Sequence, residues 1–357
     1  MNRIEALKQL AFTDKKLDIY LTFNSINLTY ITGFSGATAL ITPEKGESTL
    51  FVGGVNYEQA KEETKGLTVE LLKQSENLFE KIASQTAPIK PNKYAVDALS
   101  IEAWRALAKA VGGEEKLQTS SNIVREMRKI KDQKEIQFIR EACKFTDLGM
   151  QVAAEILKPG VKEKEVAAEV EYAMRKKGSD GTAFETIVAS GVASAFPHGS
   201  CSERTIREGD LVVVDLGAIC KFYRSDLTRT FSTGKPSEKQ NKIYDIVKLA
   251  QETAFKAIKP KAKASEVDMK ARQVIETAGY GEYFVHNLGH GVGLEIHEPP
   301  VLSPDSKDIL ATGNVVTDEP GIYLPGHGGV RIEDTVLVTE DGAEKLTVAP
   351  CNLSIRC

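Results

Sequence analysis

Short apolar runs alternate with segments of helical composition over residues 1 to 115. Four runs rich in apolar or β-branched residues predict strands: LDIYLTF, TALITP, STLFVGG and YAVDA. Two segments, YEQAKEETK and IEAWRALAKAV, have the composition of helices. Because strands that alternate with helices are typical of α/β architecture, the pattern predicts an α/β domain over residues 1–120. The polar, turn-rich stretch GGEEKLQTSSN, residues 112–122, predicts the linker that ends this domain.

Beyond residue 120 the apolar positions change to helical spacing. They predict one long amphipathic helix over residues 132–157, which would open a second domain. The apolar positions at helical intervals are Ile136, Ile139, Cys143, Met150, Ala153 and Leu157.

The second domain contains a weak internal repeat. The segments KPGVKEKEVAAEVEYAMRKKG, from Lys158, and KPKAKASEVDMKARQVIETAG, from Lys259, share Lys, Pro, Lys, Glu, Val and Gly at the same offsets. Each copy follows a long helical segment and precedes β-like sequence, and Ser237 with Gln240 forms a capping-box pattern before the second such helix. We therefore predict a duplicated helix–helix–strand unit over residues 121–357, with a functional pocket between its halves.

Composition narrows the class of protein. The length of 357 residues fits two domains, and 46 Lys and Arg against 50 Asp and Glu give a net charge of -4 with both signs interspersed. This balance argues against nucleic-acid binding. The chain has neither the apolar core of a signal peptide nor a stretch as long as a membrane span, so we expect a soluble, cytoplasmic protein. The cysteines are odd in number and lack zinc-binding spacing, which favours a reducing compartment and no zinc knuckle. They are Cys143, Cys201, Cys220, Cys351 and Cys357.

Two aspartates interrupt apolar sequence in the second domain. Asp215 ends the run LVVVD, and Asp226 follows in YRSDLTRT. The two segments resemble the strands of a hairpin, which would bring both carboxylates to one end of it. Carboxylates that close repel each other unless a cation lies between them. Arg224 and Arg229 could supply that cation, so a buried salt bridge remains the alternative to a metal site.

Three of the five histidines lie close together in the sequence HNLGHGVGLEIHEPP: His286, His290 and His297. His286 and His290 have the spacing of a zinc pair on a helix, but the glycines around His290 argue against a helix there. A glycine-rich bend that lets the backbone approach a ligand fits better. The segment also lacks the register of a dinucleotide-binding loop. Clustering therefore favours a functional site over structural histidines.

Two glutamates complete a set of hard metal ligands. Glu319 precedes Pro320, and Glu333 lies in the strand-like VRIEDTVLVT, with the turn-rich GIYLPGHGG between them. Each alone would be read as a solvated surface residue, but a hairpin could bring both to one place. Shared carboxylate oxygens allow two divalent cations to bind close together. The sequence therefore predicts a two-metal hydrolase.

These motifs resemble those of the prolidase and Xaa-Pro aminopeptidase family, whose catalytic domain is called the pita-bread fold. SINLTYITGFSG resembles the family's amino-terminal, creatinase-like domain. Segments that resemble the catalytic domain are FETIVASG, FPHG, DLGA, SDLTRTF, GHGVGLEIHE, EPGIY and GGVRIEDT. The resemblance covers nearly the whole chain. It implies an α/β (α+β) protein with a small creatinase-like domain over residues 1–120 and a pita-bread metallopeptidase domain over residues 121–357.

The resemblance also assigns roles to residues. The implied metal ligands are Asp215, Asp226, His290, Glu319 and Glu333. The implied substrate-binding residues are His198, His286, His297 and Tyr323, and the implied catalytic residues are His198, His297, Glu319 and Arg331. Two divalent ions per chain are expected, and Mn²⁺ or Co²⁺ suits the oxygen-rich ligand set best, with Zn²⁺ or Fe²⁺ as alternatives.

The implied reaction is hydrolysis of the bond between an amino-terminal residue and proline. Metal ions would activate a water, His198 and His297 would stabilise the oxyanion, and Glu319 would carry a proton to the proline nitrogen. A proline-containing peptide is thus the expected partner, and a homodimer is expected from the resemblance alone.

Two positions depart from the family pattern, and they leave alternatives open. Val301, in HEPPV, stands where dipeptidases often have an arginine that pairs with the carboxylate of a dipeptide, so an Xaa-Pro aminopeptidase acting on longer peptides is the alternative. Phe222 stands where glycine is frequent in a hairpin turn. Methionine aminopeptidases usually lack the amino-terminal domain. Creatinase, or a non-catalytic scaffold, would be expected to lack the metal ligands, and here all five are present.

Overall fold

The computed structural model describes residues 2–13, 17–120 and 122–354 of the chain. The chain divides into two compact units between Arg128 and Lys129, later than the boundary expected at residue 120. Cys357 lies outside the described residues, and the other four cysteines are free thiols. Among the described helices, none is both long enough and apolar enough to cross a membrane.

The first unit is built on one six-stranded sheet. Its strands are β1 (Ile19–Thr22), β2 (Ala37–Pro43), β3 (Thr49–Gly53), β4 (Thr68–Leu72), β5 (Tyr94–Val96) and β6 (Leu117–Thr119). Its helices are α1 (Arg3–Ala11), α2 (Ser25–Thr32), α3 (Tyr57–Glu63), α4 (Leu78–Thr86), α5 (Ile101–Val111) and α6 (Asn122–Lys129), the last of which ends at the boundary. The strand order is β4-β3-β2-β1-β5-β6. Ile19, Leu21 and Phe51 lie in its buried core.

The predicted α/β architecture of the first unit is confirmed, with strands at all four predicted positions and helices at both. The predicted linker is wrong, because residues 112–122 contain β6, which pairs in parallel with β5 at the edge of the sheet. Leu117 is buried, whereas Gln118 and Thr119 are exposed, so a strand that buries one apolar side chain has the composition of a loop. Ser121, in the same stretch, lies outside the described residues.

The second unit contains four helices and several small sheets among the described residues. The helices are α7 (Gln133–Ile156), α8 (Glu163–Lys177), α9 (Glu238–Ala257) and α10 (Ala264–Thr277). The strands are β7 (Gly181–Thr182), β8 (Ile187–Ser190), β9 (Leu211–Leu216), β10 (Ala218–Cys220), β11 (Tyr223–Arg224), β12 (Leu227–Ser232), β13 (Gly289–Gly291), β14 (Glu298–Leu302), β15 (Val315–Asp318), β16 (Gly321–Leu324), β17 (Gly328–Arg331), β18 (Asp334–Val338) and β19 (Ala343–Lys345). They form the sheets β11-β10-β7, β12-β9-β8, β14-β13-β15-β18-β19 and β16-β17.

The predicted duplication is present in the second unit. Helix α7 packs on α8 and is followed by strands, and α9 packs on α10 and is followed by strands. The predicted capping box of Ser237 and Gln240 begins α9. Gly160 and Lys261 hold matching positions of the repeat and both have positive φ, of 97° and 68°. The same left-handed turn therefore connects the helices in both copies, and two buried clusters form the cores of the halves.

The hairpin between β10 and β11 accommodates Phe222. Cys220 pairs with Tyr223, which leaves Lys221 and Phe222 as a two-residue turn. Both have positive φ, of 49° and 74°, as a type I′ turn requires. The hairpin thus closes without glycine, at the energetic cost that a side chain has in the left-handed region.

Two buried aspartates lie opposite each other on β15 and β18 but differ in their partners. Asp334 accepts hydrogen bonds from Arg229 at 2.7 Å and from Lys345 at 2.7 Å. Asp318 pairs with it in register and is fully buried, and neither of its carboxylate oxygens has a partner among the described residues. Burial raises the pKa of Asp318 well above its ordinary value of 3.8. Burial therefore favours the neutral form of the Asp318 carboxyl in the folded protein.

We expect Asp318→Asn to stabilise the second unit by about 1–3 kcal/mol at neutral pH, because the buried carboxyl favours a bound proton that the unfolded chain lacks, whereas an amide of the same shape needs none. The folded state binds one proton more than the unfolded chain, so the stability of the natural protein falls as pH rises above about 4. The gain should therefore be larger at pH 7 than at pH 4 in urea or thermal unfolding followed by circular dichroism.

Asp334→Asn is the matched control, since it leaves Arg229 with a weakened partner and should destabilise the protein. Equal effects of the two substitutions would contradict the difference between the two carboxyl groups.

Candidate metal centre

Asp215 and Asp226 are brought together by two paired strands. Asp215 lies in β9, and Asp226 immediately precedes β12. The strands are antiparallel, and Leu227 pairs with Leu216 and Thr228 with Asp215. The hairpin of β10 and β11 occupies the sequence between them and belongs to a separate sheet. Both carboxylates therefore lie at the same end of the β9–β12 pair, as the sequence predicts.

His290 lies in a short strand whose neighbouring positions, Gly289 and Gly291, have no room for a side chain. It lies in β13, where the register shifts between His290 and Gly291. A Cβ on Gly289 would lie 2.1 Å from the carbonyl oxygen of Thr317, and a Cβ on Gly291 would lie 2.4 Å from that of Pro299. The predicted glycine-rich close approach is thus present, with neighbouring backbone as the group approached. The His290 amide donates to the Thr317 hydroxyl at 3.0 Å, which ties β13 to β15.

Glu319 and Glu333 follow two different strands and are fixed through their backbones. Glu319 comes directly after β15, and its amide donates to the carbonyl of Leu288 at 2.9 Å. Glu333 lies between β17 and β18, and its amide donates to the carbonyl of Thr228 at 3.1 Å. The Thr228 hydroxyl also donates to Glu333 Oε2 at 2.6 Å. The hairpin of β16 and β17 fills the sequence between the two glutamates.

All five predicted ligands line one cavity of about 590 Å³ in the second unit. Ligand atoms of Asp226, His290 and Glu333 lie within 4.8 Å of one another. His290 Nε2 lies 3.3 Å from Glu319 Oε1 and 3.7 Å from Asp226 Oδ2. Asp215 differs from the others, since its Oδ2 accepts from Arg331 at 2.6 Å while its buried Oδ1 has no hydrogen-bond partner among the described residues.

The ionisation of these groups reflects like charges held together away from water. Burial, reinforced by the charge of neighbouring carboxylates, raises the pKa of Asp226 and of Glu333 well above their ordinary values. Burial opposes protonation of His290, but the hydrogen bond and charge of Glu319 outweigh it and raise the pKa of His290 to about 9. Burial alone would raise the pKa of Glu319, yet His290 lowers it to about 2. In the metal-free protein, protons therefore offset part of the negative charge of these carboxylates, as bound cations would.

The residues fit divalent cations. The donor set is four carboxylates and one imidazole, which are the ligands that hard or borderline divalent ions prefer. A group of cation ligands without its cation must offset its charge with protons. Two observations agree with this: Oδ1 of Asp215 has no partner among the described residues, and the pKa values of Asp226 and Glu333 are raised. The salt-bridge alternative named Arg224 and Arg229, but Arg229 pairs with Asp334, and Asp215 Oδ2 accepts from Arg331 instead.

Three further histidines meet the same cavity. His198, His286 and His297 are among its lining residues. The ring of His297 contacts that of His290 edge-on, with centroids 4.2 Å apart. Burial lowers the pKa of His286 and of His297, and the charge of His290 adds to the effect on His297. Both rings are therefore neutral at neutral pH, when each offers one hydrogen-bond donor and one acceptor.

Tyr323 and Arg331 form a chain behind the cavity wall. The Tyr323 hydroxyl lies 2.9 Å from His286 Nε2 and accepts from Arg331 at 2.9 Å. Arg331 continues the chain to Asp215 and also donates to the Thr228 hydroxyl at 3.0 Å. Burial raises the pKa of Tyr323 to about 12. Arg331 lines the cavity, whereas the described lining residues do not include Tyr323. Its role in substrate binding stays a prediction.

Sequence reasoning missed two groups that hold the site in place. Thr228 bonds both Glu333 and Arg331, and its position two residues after Asp226 was the signal that could have found it. Asp268 on α10 is fully buried, pairs with Arg272, and accepts from the amide of Leu288 at 3.0 Å. Arg272 in turn donates to the carbonyl of His286 at 3.0 Å. The spacing of Asp268 and Arg272 predicts a helical ion pair, but not the segment that it fixes.

Comparison with known proteins independently supports the family resemblance. Residues 137–340 match the model of metallopeptidase family M24, and residues 3–130 match that of the creatinase/prolidase N-terminal domain. An Xaa-Pro dipeptidase of Pyrococcus horikoshii is 43% identical over 353 residues, which cover 95% of each protein. The solved Xaa-Pro dipeptidase from Bacillus anthracis superimposes with a TM-score of 0.94, at 38% identity over 99% of both chains. The X-Pro aminopeptidase from Thermotoga maritima superimposes at 0.88, with 34% identity over 98% of this chain and 100% of that one.

We expect the affinity for Mn²⁺ to rise with pH between pH 6 and 9. Asp226, His290 and Glu333 hold protons in the metal-free protein because their pKa values are raised, so a cation must displace those protons. Isothermal titration in buffers of different ionisation enthalpy measures both the affinity and the protons released.

The exposed His327 supplies the control, since His327→Asn should leave affinity and proton release unchanged, whereas His290→Asn should reduce both. Binding of the same strength at pH 6 and pH 8.5, without proton release, would contradict the assignment of these ligands.

Proposed function

The chain belongs to metallopeptidase family M24, and from this premise we propose that it hydrolyses the peptide bond between an amino-terminal residue and proline. Xaa-Pro dipeptides are the proposed substrates. The observation that carries the proposal is one cavity lined by five hard ligands and three further histidines. The names of the Pyrococcus and Bacillus relatives support the choice of proline.

The proposed ligands of two divalent ions are Asp215, Asp226, His290, Glu319 and Glu333. We propose Mn²⁺ or Co²⁺ as the ions, because the set is rich in oxygen and has no thiolate, with Zn²⁺ or Fe²⁺ as alternatives. When bound, such ions supply Lewis acidity and lower the pKa of water toward neutrality.

The side chains around the ligands account for the rest of the proposed reaction. His198 and His297 donate hydrogen bonds to the carbonyl oxygen of the scissile bond as it gains negative charge. Glu319 accepts a proton from the attacking water and delivers it to the proline nitrogen, which must be protonated before the bond breaks. Arg331 orients Asp215, since it donates to Asp215 Oδ2 at 2.6 Å. His286 is oriented by Tyr323 to contact the substrate.

An apolar part of the cavity wall suits the proline ring. It includes Phe184, Ile187, Pro197, Ile296 and Val301. A pyrrolidine ring in contact with such a wall removes apolar surface from water, which favours proline over polar residues at this position. We propose in addition that the protein acts in the cytoplasm, as its free cysteines favour, and as a homodimer, as the family resemblance suggests.

A second candidate function is Xaa-Pro aminopeptidase activity on longer peptides. Val301 lines the cavity, and Arg331 is the one lysine or arginine among the described lining residues. Arg331 is buried and already donates to Asp215, Tyr323 and Thr228. The free carboxylate of a dipeptide thus has no uncommitted cation among these residues. The Thermotoga structure, named as an X-Pro aminopeptidase, is consistent with this candidate.

We expect Glu319→Gln to lower kcat for Met-Pro by about 10²–10⁴-fold, because an amide cannot transfer the proton. Asp215→Asn should likewise abolish hydrolysis without unfolding the protein. The exposed Glu340 provides a matched control, and Glu340→Gln should retain full activity. Hydrolysis of Met-Pro under Mn²⁺ and Co²⁺, with circular dichroism to confirm folding, tests both. Full activity of either site variant would refute the proposed function.

We expect Val301→Arg to lower KM for Met-Pro by about tenfold or more, because an ionised hydrogen bond to the free carboxylate is gained. KM for the amide Met-Pro-NH2 should not fall. Val301→Met, which adds length without charge, is the control.

The natural protein should also cleave Met-Pro-Ala at a rate comparable to Met-Pro if the second candidate is correct. A strong natural preference for Met-Pro would exclude it in favour of dipeptidase activity.

A further inference from the structure

One fully buried carboxylate outside the cavity holds both ends of the loop that carries His198. Glu163 is the first residue of α8 and has no exposed surface. Its Oε1 accepts from the amide and the hydroxyl of Ser190 at 2.8 and 2.5 Å. Its Oε2 accepts from the amide and the hydroxyl of Ser202 at 2.9 and 2.6 Å. Four donors therefore satisfy one buried charge, which would otherwise be costly to bury.

The segment between the two serines, residues 191–201, is the His198 loop. It begins with a single turn of 3-10 helix, Gly191–Ala195, and His198 and Ser200 then line the cavity. Within the loop, the amide of Gly199 donates to the carbonyl of Phe196 at 2.9 Å. The described contacts to the rest of the unit include the carbonyl of Pro197, which accepts from Arg331 at 3.2 Å. The first part of the loop is held against β17, since the amide of Gly329 donates to the buried Ser194 hydroxyl at 2.9 Å. Residues 196–201, which include His198, therefore depend on the Pro197 contact and on the far end of the loop.

The carboxylate of Glu163 joins those two ends, beside Arg204, whose guanidinium also donates to the Ser190 hydroxyl and whose amide donates to the Ser202 hydroxyl at 3.1 Å. Ser190 is the last residue of β8 and is fully buried, so the start of the loop is also fixed by the sheet. Ser202 is exposed and lies outside any strand. Its anchors from the interior are Glu163 and the neighbouring Cys201, whose thiol donates to the carbonyl of Thr186 at 3.0 Å. Loss of the charge on Glu163 would free the end of the loop that follows His198.

The second half of the unit contains a similar arrangement. Asp268 on α10 accepts from the amide of Leu288, and its partner Arg272 donates to the carbonyl of His286. In the repeat, Asp268 corresponds to Ala167, one helical turn after Glu163 on α8. Each half therefore uses a buried carboxylate of its second helix to fix the backbone of a segment that carries a cavity histidine.

We propose that Glu163 is a positioning residue for the reaction, and that it acts by holding His198 in reach of the substrate. The proposal rests on the proposed function in one respect, the contact between His198 and substrate. An error of about 1 Å in the placement of a reacting group can cost about 10²-fold in rate. The effect on catalysis should therefore be large although Glu163 touches neither cavity nor ligands.

The test is Glu163→Gln, which keeps the shape of the side chain but leaves an amide that cannot accept from both serine amides. We expect kcat/KM for Met-Pro to fall by tenfold or more, with unchanged Mn²⁺ content. Amide hydrogen exchange should accelerate in residues 191–201 and not in the segment around His290. The exposed Glu169, on the same helix, gives the matched control Glu169→Gln, which should change neither quantity.

A double-mutant cycle separates positioning from general destabilisation. His198→Ala should lose activity, and Glu163→Gln should cost no further activity in the His198→Ala background, because nothing is left to position. If the activity losses of the two single variants multiply in the double variant, the proposal is overturned. Full activity of Glu163→Gln, while His198→Ala is impaired, would overturn it as well. Full activity of His198→Ala would instead overturn the role of His198 in the proposed function, and the positioning role with it.

A milder variant guards against misfolding of Glu163→Gln. Ser202→Ala removes one of the four hydrogen bonds at an exposed position. It should give a smaller change in the same direction in both kcat/KM and exchange of the His198 loop. Exchange and activity at the level of the natural protein would count against the proposal.

Discussion

The second unit is organised around the mutual repulsion of carboxylates that its strands force together. Asp215, Asp226 and Glu333 are buried in one cavity, where their charges are poorly screened by water. In the absence of cations the relief comes from protons, which explains the raised pKa values of Asp226 and Glu333 and the proton that His290 shares with Glu319. Divalent cations would relieve the same repulsion with more charge, which supports the proposal that these side chains bind metal.

The duplication explains how ligands so far apart in sequence converge. The first half supplies Asp215 and Asp226 from β9 and β12, and the second half supplies His290 and Glu319 from β13 and the end of β15. Thr228 joins the halves, since its carbonyl and hydroxyl both contact Glu333. Buried carboxylates on α8 and α10 then fix the histidine-bearing segments from behind. Binding and positioning groups thus come from both copies of the unit.

Sequence alone predicted the parts of the site whose residues conflict with their surroundings. An aspartate at the end of LVVVD, or histidines among glycines, has no simple structural explanation and so points to chemistry. Glu163 and Asp268 gave no such signal, because an acidic residue in an amphipathic helix looks solvated until the packing shows it buried. Strand β6 was missed because it lies at the edge of the sheet and buries only Leu117, so its composition is that of a loop. Asp318 escaped notice because its burial depends on the pairing of β15 with β18.

We propose that the five side chains bind a pair of divalent ions. X-ray diffraction from crystals grown with Mn²⁺, recorded on both sides of the manganese absorption edge, tests it most directly. We expect two anomalous peaks inside the cavity, bounded by Asp215, Asp226, His290, Glu319 and Glu333. A cavity without such peaks at saturating Mn²⁺ and neutral pH, with the Asp215–Arg331 pair and the His290–Glu319 contact intact, would contradict it.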